Sequence, residues 1–362
     1  MAIYGGYAIL SNNYIHNNTE GIFVSREGSI IEKNIIINNE VGIHVEYAYN
    51  LYIEGNFIER SNCGIRVDFA RGSVLRNNSL NNCGIYVKGN TLLDYYIDID
   101  TSNTINGKPI YYLINETGAN IKSNAGQIFL INCSFCNISS CHIEHGYIGI
   151  FLAYSHHNIV NGNTITNQSW NGIHLEHSND NTIENNIICR NDRNGICLYH
   201  SSYNIVKHNN INQNGHDGIH IDSNNTYVSY NKIANNSGFG IFLTGCSSNI
   251  VTKNMMKDNG DGIGLYCCTF NEISWNDIRE NVGYCIEMEN SICNKVHHNN
   301  LIKRGYHAML INSFFNLWYR NYWSNWHLPL LKPIIGITIL FPGALPIVWL
   351  TFDIFPKIVP FK

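Results

Sequence analysis

Apolar and polar residues alternate along this chain in short runs broken by Asn, Gly and Ser. Gly172–Ile188, GIHLEHSNDNTIENNII, shows the unit: Ile173, Leu175 and Ile183 fall on alternate positions, and β-branched residues dominate. That is the period-two pattern of a half-buried strand. The same unit recurs. Its glycine returns at Gly21, Gly42, Gly64, Gly84, Gly149, Gly172, Gly195, Gly218, Gly240 and Gly262, with Gln127, Cys285 and Ala308 in the same place of three further copies. From Asn163 the ladder Asn163, Asn186, Asn209, Asn231, Asn254, Asn276, Asn299, Asn321 steps by 23, 23, 22, 23, 22, 23 and 22 residues. A period this steady predicts a solenoid. Helical repeats, which need apolar faces of period 3.6, are excluded.

Three short strands joined by Asn/Gly/Ser turns fill one period, which predicts one coil of a parallel β-helix stacked on the next at about 4.8 Å. The expected fold is all-β: a single-stranded right-handed parallel β-helix of about 14 coils of roughly 20 to 24 residues, its hand taken from the crossover rule. Stacking sets like over like, so the asparagines form an inward amide ladder. Ser155, Ser178, Ser201, Asn224, Cys246, Cys268 and Ser291 are expected to form a second ladder of small residues. Regular coils are expected over 1–87 and 127–323, a hairpin-like elaboration leaning over one face over 88–126, and an irregular apolar cap over 324–362. The first coil begins in mid-repeat, because Ile9-Leu10 align with Ile30-Ile31. No basic, apolar leader precedes it, so upstream coils and a leader are expected to be missing. Pro333 to Phe352 carries no charge. It is long enough to raise a membrane span, but its prolines and glycines favour a cap of short strands.

Net charge is -4 and only 14% of residues are charged, which leaves no footprint for nucleic acid. Twelve cysteines lack the paired spacing of a zinc site. Cys63/Cys83 and Cys246/Cys268 sit one coil apart, as buried thiols or as disulfides of permissible span. A monomer is expected.

The Asn-x-Ile-x-x-Asn and Gly-Ile-x-Leu coils resemble the NosD-type β-helix family, within the wider class of carbohydrate-binding and sugar-hydrolase β-helices. Asp98–Tyr112, Asn321-Tyr-Trp-Ser-Asn325 and Asp353-Ile-Phe-Pro356 resemble that family's interruption and closing signatures. The resemblance implies an extracellular, cell-surface or periplasmic protein whose partner is a polysaccharide, a cell-surface glycan or another protein. The family also includes a periplasmic accessory of copper-site maturation, so copper (or calcium) enters as a candidate ligand although no cofactor is required.

With Ile and Leu inward, the residue between them and the one after Leu face out. The outward pairs include His44/Glu46, Arg66/Asp68, His174/Glu176, Cys197/Tyr199, His220/Asp222, Phe242/Thr244, Gly264/Tyr266 and Glu287/Glu289. This mixture suits sugars, whose rings stack on aromatic faces and whose hydroxyls donate to carboxylates. Tyr199, Phe242, Tyr266, Glu287, Glu289, His44, Glu46, Arg66 and Asp68 are the candidate ligand contacts. Glu176, Asp222, His174 and His220 are the candidate catalytic groups. Glu176 and Asp222, two coils apart, would stand about 9.5 Å from each other, a spacing for an inverting hydrolase. A His or Tyr base there would instead serve a lyase or epimerase. Against this, most such residues are ordinary exposed strand positions, and Glu46–Arg66 is expected to be a plain surface ion pair. Sixteen histidines raise a metal site, with His177 over His200 the nearest pair.

Overall fold

The computed structural model describes residues 2–3, 7–122, 124–328, 330–339 and 346–361. Strands account for nearly all of its regular structure, the exception being one 3-10 turn, Leu92–Tyr95. The fold is a right-handed parallel β-helix, in two compact units, Met1–Ser178 and Asn179–Lys362.

In the first unit the Gly-Ile strands Glu20–Val24, Val41–Glu46, Cys63–Asp68 and Ile85–Lys88 stack in parallel, with Ile22, Ile43, Ile65 and Ile85 in register. The chain then departs from the repeat. Asp98–Ile99 and Thr104–Ile105 still pair in parallel with the preceding coil. Asn103 supplies the ladder rung, its Oδ1 accepting the Asn78 N–H at 3.2 Å. At Asn106-Gly107 the chain reverses, so Lys108–Ile114 starts antiparallel to Thr104–Ile105 before joining Gln127–Ile131 in parallel. The Gln127 amide bridges to Ile85, accepting its N–H at 3.0 Å and donating to its carbonyl at 2.7 Å. The antiparallel pairing here spans Thr104–Ile105 and Lys108-Pro109, and the segment around Leu92–Tyr95 lies over the outward face.

In the second unit the Gly-Ile strands Ile196–Tyr199, Ile219–Asp222, Phe239–Thr244, Asp261–Tyr266, Ile286–Glu289 and Ala308–Ile311 stack the same way. Ala308 pairs with Ile286, which puts His307 rather than Ala308 in the glycine place. The core is a column of Ile, Val and Leu, with three asparagine ladders and a ladder of small residues along it. One is the expected ladder: Asn231 Nδ2 donates to Asn254 Oδ1 at 3.0 Å, and Asn254 to Asn276 at 3.1 Å. Asn191, Asn214, Asn236 and Asn259 form another, and Asn249, Asn271 and Asn294 a third. In the serine ladder Ser223, not Asn224, takes the rung, accepting the Ser201 N–H at 2.7 Å. Asn224 is exposed.

The repeated glycine is explained by close approach. A Cβ on Gly218 would lie 2.5 Å from Ile233 Cγ2 and 2.6 Å from the Gly240 carbonyl. At Gly64 and Ile65 both N–H groups donate to the Gly84 carbonyl, which is a β-bulge. The residue before the glycine reaches the outward face at Glu20 and at Asp217. All twelve cysteines are free thiols, and Cys246 Sγ lies 3.4 Å from Cys268 Sγ.

The C-terminal segment is an antiparallel hairpin of Lys332–Thr338 and Ile347–Ile354; residues 340–345, within the uncharged run, lie outside the described residues. Gly336-Ile337 pairs with Leu310-Ile311, and Asp353-Ile354 with Trp318-Tyr319, so the hairpin closes the end of the last coil. No described helix is long and apolar enough to cross a membrane.

Candidate functional site

On the outward face of the first unit, side chains touch in an unbroken series. His44 Nδ1 lies 2.6 Å from Glu20 Oε1, and its Nε2 lies 3.3 Å from Asp68 Oδ2. Arg66 donates to the same Asp68 oxygen at 2.8 Å and lies over the Tyr86 ring, 5.8 Å from its centroid. Tyr86 packs against Tyr147 and Trp170 with centroids 5.3 and 5.2 Å away. His174 is stacked between Trp170 and Phe151 at 5.5 and 5.4 Å. Its Nδ1 faces the Asn171 amide nitrogen at 3.1 Å and so accepts, which leaves the ring proton on Nε2, 4.0 Å from Glu176 Oε2. Tyr95 then donates to Glu176 Oε2 at 3.0 Å.

The wall over this face comes from the interruption. Thr91 and Asp94 form a capping box on the Leu92–Tyr95 turn. That turn sets the Tyr95 ring against Phe151 and Tyr154 with centroids 5.9 and 6.1 Å apart. Burial, then the Glu176 charge, pushes the Tyr95 hydroxyl well above its usual range. Tyr95 therefore serves Glu176 as a neutral donor.

Two sequence expectations change here. Arg66 pairs with Asp68 on its own strand rather than with Glu46 on the neighbouring one, because Asp68 already anchors His44 and gathers both cations. Glu46 lies beside Asp68 in register and is half-buried. His44 and Asp68 are themselves buried, at 8% and 2% exposure, rather than ordinary surface positions. Burial opposes charge on His44, yet the hydrogen bonds and charges of Asp68 and Glu20 together outweigh it and raise its pKa above 6.5. A raised folded-state value means the stabilisation is complete below pH 6.5 and disappears as pH climbs through the folded value. In a histidine NMR titration His44 is expected to titrate above 6.5, and Asp68→Asn to bring it down.

In the second unit Asp217 and His220 make an i, i+3 pair. Asp217 is fully buried and takes His220 Nδ1 at 3.0 Å and His216 Nδ1 at 3.1 Å on one oxygen, while Phe239 N–H donates to the other at 2.9 Å. Burial alone would raise this carboxyl; the hydrogen bonds from His216 and His220 hold it below its usual value. His220 thereby presents Nε2 away from Asp217, its ring tilted on Phe242 at 5.3 Å, and Phe242 stacks on Phe239 at 4.8 Å. Asp222 is half-buried, in register with exposed Tyr199. Tyr266 is exposed beside Glu289. Burial, then Asp261 and Glu289, raises the pKa of Glu287. Glu20, Asn171, Asp217 and Asp261 were missed by counting in twos from the glycine, because the alternation is not kept through that position. Trp170 and Tyr95 carry no repeat signal at all.

A family model described as periplasmic copper-binding protein (NosD) matches residues 3–107, 90–254 and 213–327. The chain belongs to the NosD family. No curated protein matches it. Among solved structures, this NosD-family chain is similar to the A-module of the Azotobacter vinelandii mannuronan C-5 epimerase AlgE4, at 12% identity over 82% of this chain and 86% of that one, with a TM-score of 0.46. It is similar also to the periplasmic alginate epimerase AlgG, at 15% identity over 87% and 66% with a TM-score of 0.42. A third is the XylC complex with xylose, at 11% identity over 59% and 56% with a TM-score of 0.43.

The family description prompts a fit test for copper, which favours converging His, Cys and Met ligands. Among the described residues no three His, Cys, Asp or Glu side chains are grouped to hold a metal ion, copper or calcium. His177 stacks on Tyr154 at 4.9 Å, and His200 packs on Tyr199 at 4.0 Å. The Cys246 and Cys268 thiols are buried, and two ligands fall short of such a group. Among the described residues the His, Cys, Asp and Glu side chains do not assemble a copper centre.

Proposed function

We propose that this NosD-family protein acts outside the cytoplasm as a monomer and binds a polysaccharide along the outward face of the Gly-Ile sheet. One observation carries this reading: the unbroken series of carboxylate, imidazole, guanidinium and aromatic groups from Glu20 to Glu176, with Tyr95 bridging from the wall. Tyr86, Tyr147 and Trp170 remain half-buried and offer ring surface, while Glu176 accepts hydroxyl donors. Tyr199, Phe242, Tyr266, Glu287 and Glu289 offer the same mixture in the second unit. Purified protein passed over immobilised neutral and uronate polysaccharides is expected to be retained. Trp170→Ala or Glu176→Ala should weaken retention about tenfold, or ~1.4 kcal/mol. Retention unaltered in both variants would remove this face from the account.

The Asp217–His220 pair favours a second reading. A buried carboxylate that fixes an imidazole on the outward face is the arrangement of a general base, which suits proton abstraction beside a uronate carboxyl. Unsaturated or epimerised products, absent in His220→Gln, would establish it; retention without products leaves a binding protein.

A further inference from the structure

The cap carries a feature that glycan binding does not use. Its inner face closes the solenoid: Ile334 and Asp353 are buried, and Trp349 stacks on Phe314 with centroids 4.9 Å apart. The outer face alternates with it along both strands. There Ile335, Val348, Leu350 and Phe352 stand 43, 65, 54 and 42% exposed. Leu328, Leu330, Leu331, Phe355, Ile358 and Val359 extend the exposed apolar area. A solenoid cap that faces water has a polar outer surface, and apolar area gathered this way marks a contact surface. This hairpin is apolar on both faces.

We infer that the outer face of the C-terminal hairpin docks on an anionic lipid bilayer, lying in the interface and not crossing it. Charge selects this occupant. Among residues 328–361 the charged side chains are Lys332, Lys357 and Asp353, and Asp353 is turned into the core. The accessible charge around the apolar face is therefore cationic, which suits acidic headgroups. Two copies meeting through this face would instead bring their lysines together. Lys332 also lies over the ring of half-buried Trp326, at 4.9 Å, and Trp and Lys side by side suit the headgroup layer. Crossing is excluded for a two-stranded hairpin, whose backbone edges would meet hydrocarbon unpaired. The inference stands apart from the glycan reading, since it uses no residue of that face.

Flotation of the full chain with vesicles tests it. The protein is expected to float with vesicles of phosphatidylcholine and phosphatidylglycerol, and less with phosphatidylcholine alone. Raising salt from about 0.1 to 1 M should lower the bound fraction by screening. Val348→Glu and Leu350→Glu together should reduce binding at least tenfold with an unchanged thermal melt, and Lys357→Gln should weaken the preference for the anionic lipid. Should the double variant fail to fold, brominated lipid must still quench tryptophan fluorescence of the unaltered protein. Two results overturn the inference: no flotation and no quenching with any vesicle, or a dimer without lipid that Leu350→Glu dissociates, which would make a second copy the occupant.

Discussion

Asn254→Ala is expected to lower the unfolding free energy by ~3 kcal/mol or more, among the largest effects of any single substitution in the coils. The Asn254 side chain makes five buried connections, one of them from Nδ2 to the Thr252 carbonyl at 3.1 Å. Its Oδ1 accepts both the Asn231 N–H and the Asn231 amide at 3.0 Å, and its Nδ2 donates to Val228 O at 2.9 Å and Asn276 Oδ1 at 3.1 Å. Alanine leaves those partners in a dry corner with nothing to replace them, and a buried orphan costs more than a made bond gains. Leucine would not rescue it, because the orphans remain. Asn13, at the half-exposed start of the ladder, can exchange its lost partners for water. Asn13→Ala should therefore cost well under half as much. Urea midpoints of the two variants decide the matter; equal costs would mean the ladder amides are not what holds the coils.

Asp353→Ala is expected to be nearly as damaging, at ~3 kcal/mol. One Asp353 oxygen accepts the Trp323 indole N–H at 2.7 Å, the Asn321 amide at 2.9 Å and the Asn321 backbone N–H at 3.1 Å. The other is buried without a partner. Asparagine keeps an acceptor for all three donors, so Asp353→Asn should stay within ~1 kcal/mol of the unaltered protein at neutral pH. The pH response separates the two further. Burial pushes Asp353 from 3.8 up to about 6, against those hydrogen bonds. Its share of stability is therefore full at pH values below its unfolded value and is lost as pH rises through about 6. His307, buried near the hairpin and Trp323, is held down to about 4 by its burial. Its share is full above pH 6.5 and is lost as pH falls through about 4. Between these limits the two trends offset each other, and stability from this end should be nearly flat. Asp353→Asn removes one trend, so that variant should lose ~3 kcal/mol between pH 6.5 and 4. A variant with the flat profile of the parent would show that Asp353 does not titrate as proposed.

Much of this was legible in the sequence because a solenoid writes its geometry as a period. Gly172 and Asn186 recur at fixed steps, and each recurrence places a residue at the same corner of a coil. The closing signature was legible too, and the structure gives its reason: Asn321, Trp323 and Asp353 join in one hydrogen-bonded knot. What the period could not encode was departure from it. Beside the repeated glycine the alternation is not kept: Glu20 and Asp217 turn outward, and strict alternation hides them. The shorter turn after Asp222 moves the rung from Asn224 to Ser223. Tyr95 reaches Glu176 across 81 residues, through a segment with no repeat to place it. Arg66 pairs with Asp68 because His44 had already drawn that carboxylate inward, a choice made by three coils together.

The most direct test of glycan binding is hydrogen exchange of the full chain, with and without the polymer it retains most strongly. Slowed exchange is expected along the outward Gly-Ile strands from Glu20–Val24 to Ile173–Glu176 and in the Leu92–Tyr95 turn, with the Asn-ladder strands unchanged. Protection confined to other faces, or no protection with any polysaccharide in the panel, would contradict the account.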